Sequence, residues 1–130
     1  MPGGNDQRRT PSTQVVFELI TAIGDKRVED VLARVHPDVV CQPVVRPGLS
    51  QYVGHDGMVQ FISNLDAAFG QYRLDIEEIT SDGGTRVTVR TRIIARTADG
   101  DRELPPITSI YTLEDGLVKA IESEYRAGGG

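Results

Sequence analysis

The chain has 130 residues, of which 38% are hydrophobic and 25% are charged, values that are ordinary for one soluble globular domain. Its formal net charge of -5 disfavours nucleic acid and membrane surfaces as partners, because their phosphates repel an acidic protein. One cysteine, Cys41, and two well-separated histidines, His36 and His55, exclude an internal disulfide and disfavour a structural zinc site.

The N-terminal residues are polar and rich in glycine, with no apolar segment that resembles a secretory signal. No later stretch approaches the ~18 apolar residues that a membrane span requires. We therefore expect a disordered tail over residues 1–11, a single domain over 12–126 and a glycine tail over 127–130, in a cytoplasmic protein.

Apolar residues recur at helical spacing in the N-terminal half. Val16, Ile20 and Ile23 predict a helix over residues 12–23, and Gly24 ends it. The same spacing predicts a second helix, capped by Asp25, that ends before His36-Pro37, because proline disfavours helical geometry in the residue before it. These two helices should form a hairpin.

A segment rich in valine and proline follows, and it predicts a short strand at 39–42 and then an irregular loop. Met58, Ile62 and Leu65 mark a third amphipathic helix, which begins after Gly54 and which Gly70 stops.

After Gly70 the apolar period changes from 3.6 to 2, which is typical of strands. Turn sequences divide this half into strands near 71–80, 86–97, 104–113 and 117–126. Consecutive strands with tight turns predict an antiparallel meander whose one face is covered by the helices.

This order of elements, with Gly54-His55-Asp56-Gly57 at a helix start, resembles the nuclear transport factor 2-like superfamily over about residues 14–126. The element lengths are most similar to those of limonene epoxide hydrolases and SnoaL-like polyketide cyclases. The resemblance implies an α+β cone, in which three N-terminal helices pack on a curved, mostly antiparallel sheet, as in cystatin-like and SnoaL-like folds. It also implies an apolar cavity for a small molecule.

Ketosteroid isomerases, more distant relatives, use a tyrosine, an aspartate base and a second, protonated aspartate. The corresponding positions here are Phe17, Gln42 and Ser109. Since an amide and a hydroxyl replace the carboxyl groups, the resemblance does not extend to proton abstraction of that kind.

Epoxide hydrolases of the limonene type activate water between two aspartates that an arginine bridges. The arginine position is Arg90, and the aspartate positions are Arg92 and Ser123. Both catalytic carboxylates are therefore missing, and that mechanism should be absent.

The resemblance nevertheless implies which side chains face the cavity. Its floor and catalytic residues would be Arg90, Arg92, Ser109 and Ser123. Its ligand-binding residues would be Phe17, Gln42, Tyr52, Phe61, Leu74, Ile107, Tyr111 and Tyr125. Such a floor favours a ligand with a carboxylate, enolate or other oxygen-rich group, because arginine offers paired donors to planar anions. Neither a metal nor another cofactor is expected.

The alternation of apolar and charged residues along 86–97 supports a different orientation of this strand. It places Val87, Val89 and Ile93 in the core and the arginines in solvent, since a buried, unpaired arginine is very costly. If the arginines face inward instead, the valine face would be buried between two subunits.

Three further residues have competing interpretations. Glu122 alternates with apolar neighbours and should be solvated, although a one-residue slip in register would place it in the cavity. His55 is either a surface residue or a gate, and Cys41 is a packing residue rather than a nucleophile, because no base is near it in sequence.

We therefore consider three functions. The first is a SnoaL-like or epoxide-hydrolase-like enzyme for cyclisation, isomerisation or epoxide opening of a hydrophobic metabolite. The second is a non-catalytic ligand-binding or dimerisation module, and the third is a purely structural dimer domain. In each case a homodimer through the sheet is expected.

Overall fold

The computed structural model describes residues 10–43 and 51–125. The helices are α1 (Pro11–Gly24), α2 (Val28–Arg34) and α3 (Gly54–Phe69). The strands are β1 (Val35–Gln42), β2 (Tyr52–Val53), β3 (Tyr72–Ser81), β4 (Arg86–Thr97), β5 (Gly100–Glu103), β6 (Ile107–Glu114) and β7 (Leu117–Tyr125). Residues 1–9 of the predicted N-terminal tail and the whole predicted glycine tail lie outside the described residues.

The first two helices form the predicted hairpin with shifted boundaries. α1 begins at Pro11 because the Thr10 hydroxyl accepts a hydrogen bond from the backbone N–H of Thr13 at 3.2 Å. Asp25 ends α1 instead of capping α2. The left-handed backbone of Lys26, with φ of 60°, then separates the two helices, so α2 begins only at Val28.

Strand β1 is longer than the sequence predicts. It begins at Val35 and includes Pro37. The sequence predicted that the second helix ends just before this proline and that the strand begins only at residue 39. The ladder between β1 and β7 is irregular between Val35 and Val40, so Pro37 lies where regular pairing is broken. A proline at such an irregularity removes no regular ladder hydrogen bond.

The strands form one sheet in the order β2-β1-β7-β6-β4-β3, with β5 paired to the end of β4. The predicted antiparallel meander is present, since β3 pairs with β4, β4 with β6, and β6 with β7. β1 joins it in parallel beside β7. The strand predicted at 104–113 corresponds to β6, which begins only at Ile107 because Pro105 and Pro106 precede it. The short strand β5 lies before these prolines and was not predicted.

The three helices pack on one face of this mixed, mostly antiparallel sheet, which confirms the predicted cone-shaped α+β fold. Val16 and Leu19 of α1 and Met58 of α3 are fully buried against this inner face of the sheet. Val87 and Val89 of β4 are 0% exposed within the single chain. The hypothesis that these valines are buried between subunits is therefore wrong, because the chain's own helices cover them. No helix within the described ranges is long and apolar enough to cross a membrane.

Candidate functional site

A partly open cavity of about 80 Å³ lies between the helices and the inner face of the sheet. α1 and α3 form its roof, and β6 and β7 form its floor. The lining residues are Ile20, Ile23, Cys41, Pro43, Phe61, Leu65, Leu74, Thr91, Ile93, Ile107, Ser109, Tyr111, Ile121 and Ser123. Most of these side chains are apolar, as is usual for small-molecule sites.

Two serines form the centre of the floor. Ser109 on β6 and Ser123 on β7 are cross-strand partners, and their hydroxyl oxygens lie 2.7 Å apart in a hydrogen bond. Ser109 is buried and Ser123 is half-buried. Because each hydroxyl has one proton and two lone pairs, the pair retains unused donor and acceptor capacity for a ligand oxygen.

Tyr111 and Cys41 lie beside this pair on neighbouring strands. Burial raises the pKa of Tyr111 well above its ordinary value, the nearby Cys41 raises that pKa further, and a hydrogen bond with Ser109 opposes both effects. Burial also raises the pKa of Cys41, to about 12. Both groups therefore stay protonated near neutral pH and act as uncharged donors.

The polar part of the cavity is uncharged. Thr91 completes its polar set, and none of the described residues that line it is an aspartate, glutamate, histidine, lysine or arginine. General acid–base catalysis near neutral pH requires a group that changes protonation in that range. Cys41 and Tyr111 do not meet this requirement, so the lining favours binding through neutral hydrogen bonds.

Arg90 and Arg92 lie outside the cavity, which corrects their assignment to its floor. Both side chains point to the outer face of the sheet, where Arg90 Nε lies 3.3 Å and Arg92 Nε 2.8 Å from the carboxylate of Glu77. Arg92 also lies 3.5 Å from Glu103. The alternation of valine and arginine predicted this orientation correctly, whereas the family resemblance did not. Burying the valines is favourable, whereas burying unpaired guanidinium groups is very costly.

The remaining predicted site residues are distributed as follows. Phe61, Leu74, Ile107 and Tyr111 line the cavity together with the two serines. Tyr52 is buried behind Phe61, with ring centroids 5.3 Å apart, and its hydroxyl accepts a hydrogen bond from Asn64. The ligand-binding roles of these residues stay predictions.

Two predicted ligand-binding residues lie away from the cavity. Phe17 is 47% exposed on the outer side of α1, since the buried side of that helix is formed by Val16 and Leu19. Gln42 is exposed and donates a hydrogen bond to Gln51. The side chain of Tyr125 lies outside the described residues.

Sequence reasoning missed Thr91 and treated Cys41 only as a packing residue, yet both line the cavity. Thr91 shares the inward face of β4 with Val89 and Ile93, so the alternation contained the necessary signal. Glu122 is exposed on the opposite face, so the register is not slipped. The ring of His55 lies 3.1 Å from the carbonyl oxygen of Val35 and away from the cavity lining.

Comparison with known proteins agrees with this architecture. The SnoaL-like domain family matches residues 16–121. The chain belongs to the SnoaL-like domain family. No curated protein sequence matches it significantly.

Solved structures with low sequence identity share the fold of this SnoaL-like chain. TerC, co-crystallised with polyporic acid, is 22% identical with a TM-score of 0.77, over 92% of this chain and 95% of that one. RV0760c from Mycobacterium tuberculosis, in complex with estradiol-17beta-hemisuccinate, is 16% identical with a TM-score of 0.75, over 92% and 97% of the chains. An LEH-like epoxide hydrolase from M. tuberculosis is 14% identical with a TM-score of 0.71, over 91% and 84%.

Proposed function

We propose that this SnoaL-like chain binds a small, uncharged and largely apolar organic molecule whose single carbonyl or hydroxyl oxygen lies against Ser109, Ser123 and Tyr111. We call these three residues the hydroxyl cluster. The observation that carries the proposal is the 2.7 Å serine pair at the floor of an otherwise apolar cavity. A ligand oxygen there would accept or donate one hydrogen bond while the rest of the molecule contacts the apolar walls.

The ligand is uncharged because the lining offers no opposite charge. A carboxylate moved from water into an apolar site without a cation loses its solvation and regains little. With Arg90 on the outer face, the expectation of an anionic ligand loses its support. A ketone, lactone or alcohol needs only the neutral donors and acceptors of the hydroxyl cluster.

The cavity volume supports a ligand of about one ring. A cavity of about 150 Å³ holds benzene, whereas the described walls enclose about 80 Å³. A single ring would therefore enter with small movements of Phe61 and Leu74, which are only half-buried, or extend through the open side. The polycyclic ligands considered from the sequence would require larger displacements. The structures of TerC with polyporic acid and of RV0760c with estradiol-17beta-hemisuccinate support small-molecule binding by proteins of this fold.

Binding is tested by differential scanning fluorimetry and calorimetry with three matched probes, namely cyclohexanone, cyclohexylamine and cyclohexanecarboxylate. We expect the ketone alone to stabilise the protein, and Ser109→Ala to reduce its affinity by about fivefold or more, since one hydrogen bond is lost. Thr108→Ala is the matched control, because Thr108 is the adjacent β6 residue on the opposite face. Preferential binding of the carboxylate, or equal effects of the two substitutions, would contradict the proposal.

A second candidate function is catalysis by the same cluster, and the buried hydroxyl of Tyr111 favours it. Neutral donors stabilise negative charge that develops on a substrate oxygen. In enolisation the α-proton would pass to a base from solution, hydroxide or a buffer anion, that enters through the open side of the cavity, and the hydroxyl cluster would stabilise the resulting enolate oxygen. NMR would detect this activity as accelerated exchange of the α-protons of cyclohexanone for deuterium. Loss of that acceleration in Tyr111→Phe, with ketone binding retained, supports catalysis, whereas no acceleration in the wild type leaves binding as the function.

A further inference from the structure

Thr91 on β4 is a buried residue of the cavity wall whose hydroxyl has no hydrogen-bond partner among the described residues. It is only 9% exposed. The two other buried serine and threonine residues within the described ranges differ from it. Thr13 donates a hydrogen bond to the carbonyl oxygen of Thr10 at 3.0 Å, and Ser109 is bonded to Ser123. Because buried hydroxyl groups usually have a partner, the hydroxyl of Thr91 is available to a molecule in the cavity.

The neighbours of Thr91 on the inner face of the sheet are all apolar. Its cross-strand partners are Ile76 on β3 and Ile107 on β6, and the adjacent inward residues of β4 are Val89 and Ile93. A valine has the same branched shape and is equally suited to a strand, so packing alone does not require a hydroxyl at this position. The hydroxyl adds a polar group to an otherwise apolar part of the wall.

The strand register separates Thr91 from the hydroxyl cluster. Val89 pairs with Ser109 and Thr91 pairs with Ile107, so Thr91 and Ser109 are diagonal neighbours across β4 and β6. Diagonal neighbours lie about 7–8 Å apart, or somewhat less between Cβ atoms. An O–H···O hydrogen bond spans only about 2.8 Å, so the two side chains are placed to bind two different oxygens of one molecule between them.

We infer that the ligand has a second oxygen, which bonds to Thr91 while the first bonds to the hydroxyl cluster. This inference rests on the proposed function and extends its one-oxygen ligand to a single uncharged ring that is oxygenated at opposite positions. Carbons 1 and 4 of a six-membered ring hold their substituents farthest apart, whereas oxygens on adjacent carbons reach only one of the two polar positions. Thr91 is therefore the residue that determines specificity among such rings.

Two ketones of similar size test the role of Thr91, namely 4-hydroxycyclohexanone and 4-methylcyclohexanone, with affinities measured by calorimetry. Thr91→Val should weaken binding of the hydroxyketone by about fivefold or more, because its hydroxyl then lies in apolar surroundings without a partner. The same substitution should leave the affinity for the methylketone unchanged or increase it. Thr91→Ser keeps the hydroxyl and should keep the wild-type ratio of the two affinities. Thr88→Val, at an exposed position on the opposite face of β4, is the matched control and should change neither affinity.

Two diols test the spacing of the ligand oxygens. The wild type should bind trans-1,4-cyclohexanediol at least about fivefold more tightly than trans-1,2-cyclohexanediol, since only the former can bond to both polar positions. Thr91→Val should remove most of this preference. Equal affinities of the wild type for the two diols would overturn the assignment of opposite ring positions.

The thermal stability of the protein without ligand provides a separate test of the unpaired hydroxyl. Thr91→Val should leave the unfolding midpoint unchanged or raise it, whereas Ser109→Ala should lower it, because only the serine loses a hydrogen bond. A lower midpoint for Thr91→Val would mean that the hydroxyl already has a partner in the chain, and it would overturn the inference. If the wild type binds both ketones and Thr91→Val leaves the ratio of their affinities unchanged, the inference fails and the proposed function stands. If the wild type binds neither ketone, the proposed function itself fails, and the inference fails with it.

Discussion

Ser109 and Ser123 face each other across β6 and β7 with their hydroxyl oxygens 2.7 Å apart, in a hydrogen bond that joins the two strands at the floor of the cavity. Each serine provides the other with a partner in the absence of a ligand. The hydroxyl groups of the floor therefore have hydrogen-bond partners within the chain, and a ligand oxygen would replace or extend neutral hydrogen bonds whose net contribution to stability is small.

This mutual dependence predicts strong coupling between the two serines. Ser109→Ala should lower the free energy of unfolding by about 1 kcal/mol, and Ser123→Ala by a similar or smaller amount, because each leaves one hydroxyl without its partner. The double variant should be about as stable as either single variant. Urea denaturation of all four proteins gives the coupling energy. Additive losses would mean that the 2.7 Å contact contributes nothing to stability.

The outward position of Arg90 predicts a separation between stability and ligand binding. Arg90→Gln should lower the free energy of unfolding by less than about 1 kcal/mol, since its pair with Glu77 is largely solvent-exposed. It should leave the thermal shift produced by cyclohexanone unchanged. The same shift should be reduced in Leu74→Trp, which fills the cavity from β3. If Arg90→Gln abolished the ligand response while Leu74→Trp retained it, the cavity assignment would be wrong.

The orientation of β4 could be predicted from the sequence alone. The alternation of valine and arginine on β4 contains enough information to orient that strand, because desolvation of arginine far outweighs any benefit of a polar floor. The family resemblance identified Ser109 and Ser123 as neighbours at one floor, but it assigned the inward face of β4 to Arg90 and Arg92. The family pattern was misleading where this chain has lost the acids that would pair with buried arginines.

Other features depend on contacts that no local pattern contains. Pro37 within β1 is tolerated because the β1–β7 ladder is irregular there, and this irregularity is a property of two strands far apart in sequence. Likewise, Cys41 reaches the cavity because β1 lies in parallel beside β7, a pairing that the predicted meander did not include. The apolar period of a strand predicts which face of the sheet a residue occupies, whereas the cross-strand neighbours of that residue depend on the order of the strands.

A close backbone approach at the start of α3 predicts that Gly57 is required. A Cβ added to Gly57 would lie 2.9 Å from the backbone carbonyl carbon of Tyr52, and backbone atoms there cannot move independently. Gly57→Ala should lower the free energy of unfolding by roughly 1–3 kcal/mol although alanine is the better helix former.

Gly24, at the end of α1, is the matched control. Its added Cβ would meet only the Leu74 side chain at an ordinary distance of 3.7 Å. Gly24→Ala should therefore be neutral or stabilising by up to about 1 kcal/mol. Equal stability losses in the two alanine variants, measured by urea denaturation, would contradict the close-approach explanation.

The buried thiol of Cys41 predicts a loss of stability in mildly alkaline solution. Burial raises the pKa of Cys41 to about 12, whereas the unfolded chain should have the ordinary cysteine value of about 8.5. The unfolded state therefore releases this proton first as pH rises. The stability is intact below the unfolded pKa and falls between that value and about 12, with a slope of about 1.4 kcal/mol per pH unit for one group.

Urea denaturation between pH 7 and pH 10.5 measures this slope, and Cys41→Ala removes the group responsible. Because other titrating groups are common to both proteins, the difference between their slopes reports Cys41 alone. Above about pH 10 the raised pKa of Tyr111 should add a second decline, since the unfolded tyrosine then ionises first. Tyr111→Phe should reduce that second decline, to which Tyr72 also contributes because burial and the nearby Asp66 raise its pKa, and should keep the first. Identical slopes for wild type and Cys41→Ala from pH 9 to 10 would show that the thiol is solvated in the folded protein. Water would then reach the side of the cavity that β1 forms.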